Sequence, residues 1–406
     1  MKVEICKWYN NAASPVLFMI DDLANVWVDT NGNGEIDIEE DWGYGKNSEK
    51  SSFRYLNEEI LKEFSEVKVT FFMPVGIRAG FIEKTEIKSV SKMINCDEQT
   101  KEFFRSIHNN SRFEIAYHGT THGRAGKTKR DFIQEWKLFN SLDDAIDTIN
   151  YGKEIYKEVF GEYPKGGKYC GYSSNIFSDS SIDKTEFLWW CRYCNLDTKS
   201  SIDKEYFNKF VYGEDSSDIT NFDIKRFGDN EVIDIPSTVN GEIFNGVFYI
   251  DRKTLKGVIK SILRKYLIKR TAKNIEFLIK NKLVISVQEH ISPARNDGKR
   301  QAPNIFDDLE SLKYIFNMLK GKNLWYCTGS ELAEYVYLRD SITVIKENEK
   351  GFNFDFNIKK ELRKNVISLK INDSRKSTLI TPEGYSFRIN NGIVNVPLMP
   401  GEYILM

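Results

Sequence analysis

The chain has 406 residues, and its 58 Lys and Arg against 59 Asp and Glu leave a net charge of −1. This balance excludes a global electrostatic field that would draw the protein to nucleic acid or to an anionic membrane. The length suits one large domain plus a small one. We expect a cytoplasmic protein without a membrane span, because no apolar run is long enough and no signal-peptide pattern opens the sequence. Six scattered cysteines favour reduced thiols.

Apolar runs alternate with amphipathic stretches from residue 16 to about residue 330. The predicted strands are 16–22, 68–75, 113–118, 166–172, 187–193, 231–236, 283–289 and 324–328. The predicted helices are 57–66, 97–108, 142–160, 254–280 and 307–320. This alternation indicates an α/β fold with a parallel sheet, and seven or eight repeats favour a distorted TIM-like (β/α)7–8 barrel. We assign residues 1–340 to the barrel domain.

A period of two replaces this pattern from about residue 341. Apolar and polar residues alternate at 352–356 and 385–389, and turn signals separate these runs. Residues 341–406 are therefore predicted to form a small antiparallel, sandwich-like β domain. A structural appendage is favoured over a carbohydrate-binding role.

Three of the four histidines and a pair of aspartates lie where predicted strands end. These residues are Asp21, Asp22, His118, His122 and His290. In barrels of alternating strands and helices, the carboxyl ends of the strands carry the chemistry. Two imidazoles and one carboxylate can bind a metal ion, and the remaining carboxylate and imidazole can transfer protons. The sequence therefore predicts a metal site with adjoining acid–base groups.

These motifs, in this order, resemble the polysaccharide deacetylases of the NodB-homology type, which are the carbohydrate esterases of family four. The resemblance extends over roughly residues 14–338. It rests on the strand that ends in Asp21-Asp22, residues 69–76, His118-Gly119-Thr120-Thr121-His122, residues 233–236, the strand that ends in His290, and residues 331–336. It implies the NodB-type barrel fold.

The resemblance also implies a role for each site residue. Asp22, His118 and His122 would bind Zn²⁺ or another divalent ion. Asp21 would be the general base and His290 the general acid. The implied reaction removes an N-acetyl group from an amino sugar or a polysaccharide precursor and releases acetate. The expected partner is thus a carbohydrate, and the sequence indicates no oligomeric state.

Two of the family's motifs differ in this chain. Lys168 stands where the family has an Arg that orients the base, and it can supply the charge but not a planar two-pronged contact. Asp197 is the candidate for the aspartate that tunes the acid histidine. These departures favour a surface-polysaccharide precursor over chitin or peptidoglycan. Lys168 and Tyr172 are also candidate substrate-binding residues.

Residues 29–40 fit the twelve-residue calcium-binding loop. The Ca²⁺ ligands would come from Asp29, Asn31, Asn33, the Glu35 carbonyl and Glu40. The alternative is an ion-free Asn- and Gly-rich turn of the same shape. After this loop, Trp42 and Tyr44 are expected at the barrel mouth, where they either stack on a sugar ring or pack under the loop.

Two other functions stay open at this point. The same barrel could hydrolyse another C–N bond, such as an amide in a small molecule. It could also be a degenerate glycan-binding protein that has lost its reaction. The substitution at Lys168 favours this last reading, whereas Asp21, Asp22 and His290 argue for catalysis.

Overall fold

The structure, a computed structural model, describes residues 3–194 and 219–406. The predicted residue Asp197 lies outside the described residues. Among the helices of the described ranges, none is both long and apolar enough to cross a membrane.

A ten-stranded sheet forms the centre of the larger part of the chain. Its strands, in spatial order, are Lys225–Phe227, Val232–Asp234, Trp189–Cys191, Gly166–Lys168, Phe113–Tyr117, Val69–Met73, Pro15–Asp21, Ile285–His290 and Val239–Asn240, with Trp325–Tyr326 also paired to Pro15–Asp21. Neighbouring strands are parallel except for Lys225–Phe227, which is antiparallel to its neighbour.

The segment 232–240 makes the sheet curl back on itself. Ile235 N donates to Trp190 O, and three residues later Thr238 N donates to Ser286 O. The first part of the segment thus bonds to the strand Trp189–Cys191, and its second part bonds to Ile285–His290. The result is a mixed α/β fold with a curled sheet; the α/β class is as the sequence predicts, and the (β/α)7–8 barrel stays a prediction.

Alternate residues of the strands face opposite sides of the curled sheet. Phe18 packs outward against Phe316 of a helix, with ring centroids 5.2 Å apart. Phe72 instead meets Trp189 at 5.9 Å, although two strands separate theirs in the sheet order. This contact crosses the interior of the curl. Residues in phase with Phe72 therefore point into the interior, where the site described below lies.

Helices connect the strands. Their bounds are Ser52–Tyr55, continued by a π-helical turn at Leu56–Leu61, Glu98–His108, Leu142–Phe160, Ser178–Lys184, Asn245–Phe248, Leu255–Ile262, Arg264–Lys280, Leu309–Leu319 and Gly329–Ser341. Leu142–Phe160 has the predicted bounds, because Ser141 caps its first turn and Gly161, with φ +79°, ends it. The predicted helix 254–280 is broken at Leu263. The predicted strand 166–172 stops at Lys168, because Gly171 and Tyr172 have positive φ.

The C-terminal strands form two antiparallel sheets. One contains Ile342–Glu347, Gly351–Phe356, Glu402–Leu405, Thr378–Ile380 and Ser386–Arg388, and the other contains Val3–Ile5, Val366–Ile371 and Ile393–Pro397. A separate hydrophobic cluster lies among them and includes Phe352, Leu369 and Tyr403. Since Val3–Ile5 pairs with a C-terminal strand, the N-terminus contributes to this β unit. The division into 1–340 and 341–406 stays a prediction.

Candidate metal and acid–base site

Asp21 is the last residue of the strand Pro15–Asp21 and Asp22 follows it directly, and both side chains are buried. Successive residues of a strand point to opposite faces. Asp22 leaves the strand conformation with φ +71°, and its N–H donates to Phe72 O at 2.9 Å. This turn brings the second carboxylate to the same mouth of the curled sheet as the first.

The loop that carries His118 and His122 is held by a buried carboxylate. Glu135 accepts hydrogen bonds from the backbone N–H groups of Thr120, Thr121 and His122 at 2.8, 2.6 and 2.7 Å. Burial raises the pKa of Glu135, and these donors oppose that shift. Sequence analysis missed Glu135, because it lies thirteen residues after His122 and carries no motif. Its role follows from the tertiary structure alone.

Gly119 is required by the same arrangement. Its φ is +90°, and a Cβ built on it would lie 2.8 Å from a Glu135 oxygen. Both the backbone conformation and the close carboxylate exclude a larger residue without strain. This explains why glycine stands in the second position of the histidine motif.

The five acid–base and candidate metal residues lie together. His122 Nε2 is 3.2 Å from Asp22 Oδ1, and the rings of His118 and His122 have centroids 5.0 Å apart. Asp21 Oδ2 lies 3.8 Å from His118 Nε2 and 3.9 Å from His290 Nε2. Side chains from three strand ends thus converge at a single mouth.

Backbone carbonyls orient two of the three histidines. His118 Nδ1 lies 3.0 Å from Lys168 O, and His290 Nδ1 lies 2.7 Å from Pro303 O. A carbonyl only accepts hydrogen bonds, so each Nδ1 carries the proton. Each Nε2 is therefore the nitrogen that faces Asp21.

Three buried polar atoms of these residues have no hydrogen-bond partner. They are Asp22 Oδ1, His118 Nε2 and His122 Nδ1. Leaving such atoms unsatisfied costs about 1–3 kcal/mol each, and a bound cation is one way to satisfy donors of this kind. One oxygen and imidazole nitrogens are a donor set that suits Zn²⁺ and other divalent ions. The residues therefore fit a metal ion.

Electrostatics favour the metal-binding protonation states of these residues. Burial works to raise the pKa of Asp22, but Arg78, followed by the histidines, lowers it below its usual value. Burial is the main cause that lowers the pKa of His118 and lowers that of His122 further. An ionised carboxylate and neutral imidazoles are the forms that bind metal.

Cys170 adds another donor to this region. The donor atoms of His118, His122 and Cys170 all lie within 4.8 Å of one another, and no other such trio occurs within residues 3–194 and 219–406. The Cys170 thiol donates to His118 O at 2.9 Å. Sequence analysis did not nominate Cys170, although it lies between the candidates Lys168 and Tyr172. By this measure Cys170, and not Asp22, forms the compact trio with the two histidines, so Cys170 is an alternative to Asp22 as the third donor.

Lys168 and Tyr172 belong to a network beneath Asp21. Lys168 Nζ lies 2.9 and 2.7 Å from the two Asp21 oxygens and also donates to Gln288 Oε1. The Tyr172 hydroxyl donates to Gln288 Oε1 at 3.0 Å. Lys168 is fully buried, so it contacts the candidate base and not solvent. A contact of either residue with substrate stays a prediction.

Arg78 is a further residue that sequence analysis missed. Its buried guanidinium lies 3.4 Å from Asp22 Oδ2 and 4.3 Å from the centre of the Trp42 ring. Trp42 is itself buried, and its Nε1 donates to Ala294 O. Trp42 therefore packs under its loop, one of the two roles left open by the sequence. Tyr44 is half-buried and stacks on Trp27 with centroids 6.1 Å apart.

The calcium-like loop satisfies its own polar groups. Asp29 accepts from the N–H groups of Gly32 and Gly34, and Glu40 accepts from Thr30 N. The side-chain amides of Asn31 and Asn33 donate to Asp37, and their Oδ1 atoms accept from the backbone N–H groups of Asn33 and Glu35. Glu35, like these two asparagines, is exposed. These contacts supply the ion-free turn, and Ca²⁺ binding stays a prediction.

Neither a protein-family model nor a curated protein matches this chain. Solved structures of polysaccharide deacetylases and family 4 carbohydrate esterases are among those similar to it. A protein of Mycobacterium smegmatis assigned to the polysaccharide deacetylases is 15% identical, with 83% of this chain and 94% of that chain covered and a TM-score of 0.45.

Two further similar structures differ in activity. A family 4 acetyl xylan esterase from Clostridium thermocellum, in complex with a cobalt ion, is 11% identical, with 79% and 90% of the chains covered and a TM-score of 0.34. A pseudoenzyme of the same esterase family from Bacillus anthracis is 12% identical, with 80% and 66% covered and a TM-score of 0.35. We therefore infer the function from the site itself.

Proposed function

We propose that this protein is a metal-dependent hydrolase that removes N-acetyl groups from an amino sugar or a polysaccharide precursor. One observation carries the proposal: two aspartates and three histidines converge on one mouth, and three of their buried donor atoms lack hydrogen-bond partners. We take the curled sheet to be a NodB-type (β/α)7–8 barrel followed by a small β domain. The site then lies at the catalytic end of the strands.

Asp22, His118 and His122 would hold the divalent ion, for which Zn²⁺ is the best match. When bound, the ion would polarise the amide carbonyl and activate a water molecule. The tautomer of His118 supports this assignment, because its Nε2 lone pair points to the mouth while Nδ1 is occupied by Lys168 O.

Asp21 is proposed as the general base and His290 as the general acid. Asp21 would accept a proton from the attacking water. Protonated His290 would give its Nε2 proton to the departing nitrogen, so that the C–N bond breaks to give acetate and a free amine. The 3.9 Å between His290 Nε2 and Asp21 Oδ2 leaves both groups within reach of one reacting centre.

Lys168 is proposed as a positioning residue for the base. It acts through Asp21, to which it is paired at 2.7 Å in a fully buried position. A lysine supplies a point charge and not a two-pronged fork, so Gln288 and Tyr172 complete the support of this pair.

A degenerate glycan-binding barrel is the second candidate, and Arg78 favours it. Its guanidinium lies beside Asp22 Oδ2, and this positive charge reduces the attraction of the carboxylate for a metal ion. Turnover separates the two candidates, because only the hydrolase releases acetate from an acetylated sugar.

The test combines elemental analysis for zinc with acetate release from N-acetylated amino sugars. Wild-type protein is expected to bind zinc and release acetate, and Asp21→Asn is expected to retain zinc but lose turnover by about 10²–10⁴-fold. Unchanged turnover in Asp21→Asn would remove Asp21 as the base. Zinc retained by the wild type without turnover on any acetylated sugar would favour the glycan-binding candidate.

A further inference from the structure

The helix Leu255–Ile262 exposes its apolar face. Leu255, Val258, Ile259 and Ile262 follow the i, i+3, i+4, i+7 spacing of one helical stripe. Their exposed fractions are 79%, 43%, 49% and 78%, and Gly257 is the only buried residue of this helix. A surface helix of a globular protein normally turns such a stripe towards the core. Here the stripe faces outward.

The apolar stripe continues past the helix. Leu263 and Tyr266 follow it directly and are 45% and 64% exposed. The side of the segment opposite the stripe is hydrogen-bonded to backbone carbonyls: Lys260 Nζ donates to Gly246 O and Arg264 Nε donates to Val247 O, both at 3.1 Å. The segment is thus fixed to the protein by polar contacts while its apolar side chains face outward.

Positive charge surrounds this stripe. Residues 252–273 contain nine basic residues and no acidic residue, in a chain whose overall charge is −1. The basic residues are Arg252, Lys253, Lys256, Lys260, Arg264, Lys265, Lys269, Arg270 and Lys273. All of them except Lys260 are exposed. The near-neutral total therefore conceals a strongly basic local surface.

This surface lies at the same end of the sheet as the acid–base site. The helix Arg264–Lys280 is joined to the strand Ile285–His290 by residues 281–284, so helix and strand run in opposite directions. The start of the helix is therefore beside the end of the strand, where His290 lies. The preceding helix Leu255–Ile262 is on this side as well.

We propose that residues 252–266 dock on the surface of an anionic phospholipid membrane. The apolar stripe would enter the interface between headgroups and acyl chains, and the surrounding Lys and Arg would contact lipid phosphates. A nucleic acid would use the basic residues but leave the aliphatic stripe in water. A symmetric contact with a second copy would bring the basic segments of the two chains together.

Docking in this way would turn the mouth towards the bilayer. Resting on the proposed deacetylase function, this orientation points to a glycan attached to a membrane lipid as the substrate class. Membrane binding itself needs no catalysis, so the two proposals can be tested separately.

The test is co-sedimentation of the full chain with vesicles of phosphatidylcholine alone or mixed with phosphatidylglycerol. Binding is expected to the mixed vesicles and to weaken as salt is raised. Leu255→Asp/Ile262→Asp is expected to reduce partitioning at least tenfold. Replacement of Lys253, Lys256 and Lys265 by Ser is expected to reduce it by about fivefold per side chain. All five positions are exposed, so these variants are expected to keep the far-ultraviolet circular dichroism of the wild type.

The matched control is Ile176→Asp/Tyr385→Asp, which places the same charges at residues that are 86% and 61% exposed elsewhere. It should bind mixed vesicles like the wild type, and so should Asp22→Asn, which tests independence from the metal site. Three results would overturn the proposal: no binding to mixed vesicles, binding to duplex DNA or RNA without vesicle binding, or a dimer in sedimentation velocity that Leu255→Asp/Ile262→Asp dissociates.

Discussion

Lys168 Nζ lies 2.7 Å from Asp21 Oδ2, and both side chains are buried at the mouth of the curled sheet. An ion pair in such a position depends on both partners, because removing one leaves the other charge buried without compensation. The candidate base is therefore tied to a residue 147 positions away in sequence.

Loss of Lys168 is expected to destabilise the protein as well as the site. Lys168→Met should lower the free energy of unfolding by about 3–5 kcal/mol. Lys346→Met is the control, because Lys346 pairs with Asp355 on the surface at 2.6 Å, where a pair contributes about 1 kcal/mol or less. Urea unfolding measures both. Equal losses for the two variants would contradict the importance of the buried pair, and Lys168→Arg should restore turnover more than Lys168→Met.

Glu135 is expected to control metal affinity without touching the ion. Glu135→Gln retains one acceptor oxygen for three N–H groups, so the loop with His118 and His122 should lose its fixed geometry. We expect the zinc dissociation constant to rise by about 10–100-fold, as for other residues that orient metal ligands. Competition with a chromophoric chelator measures it. The exposed Glu59→Gln serves as control, and unaltered zinc affinity in Glu135→Gln would contradict this role.

Gly119→Ala should cost more stability than an ordinary glycine substitution at positive φ. Gly321 also has a positive φ, +73°, but nothing lies within 4 Å of a Cβ placed there. Gly321→Ala should therefore lower the free energy of unfolding only by the cost of the backbone conformation, about 1 kcal/mol. Gly119→Ala adds a close contact with Glu135 and should lower the free energy of unfolding by about 2–4 kcal/mol. Thermal and urea unfolding compare the two. Equal losses would mean that the Glu135 contact relaxes freely.

Asp22, and not Cys170, is expected to complete the metal donor set. The Cys170 thiol already donates to His118 O, whereas Asp22 Oδ1 lacks a hydrogen-bond partner. Cobalt-loaded protein should therefore lack a thiolate-to-metal charge-transfer absorption, and Cys170→Ser should bind cobalt like the wild type. Asp22→Asn should lose most of its affinity. A charge-transfer band that disappears in Cys170→Ser but remains in Cys191→Ser would reverse the assignment. In the zinc-loaded protein, Cys170 ligation would give a metal–sulfur distance of about 2.3 Å.

A buried carboxyl pair behind the site predicts a pH dependence of stability. Burial raises the pKa of Asp308 to about 6 from its ordinary 3.8, and burial together with Asp308 raises that of Glu289 well above its usual value. Between about pH 4 and pH 6, Asp308 is therefore more protonated in the folded protein than in the unfolded chain. Stability should therefore fall as pH rises from about 4 to about 6.

The measurement is the free energy of unfolding across that window in wild type and in Glu289→Gln/Asp308→Asn. The double variant should show a smaller decrease, because neither replacement titrates. Asp41, whose pKa burial also raises to about 6, retains its own share of the slope. An unchanged slope in the double variant would show that the pair does not titrate in this range.

Local patterns in the sequence were enough to predict an α/β fold with a parallel sheet, the helix Leu142–Phe160 and the set of residues at the strand ends. The reason is physical: a period of two or of 3.6 records which side of an element is buried, and Ser141 and Gly161 mark helix ends through their own backbone chemistry. Parallel strands then bring their carboxyl ends to one edge whatever the intervening loops contain.

Contacts between segments remote in sequence were decided only by the tertiary structure. Glu135, Arg78 and Cys170 reach the site from loops that carry no periodicity, so no local signal marks them. The sequence shows that the helix Leu255–Ile262 is amphipathic, but it does not show whether its apolar stripe faces the core or the solvent. Periodicity determines that one face is apolar, and only the packing of neighbouring elements determines whether that face meets the core or the solvent.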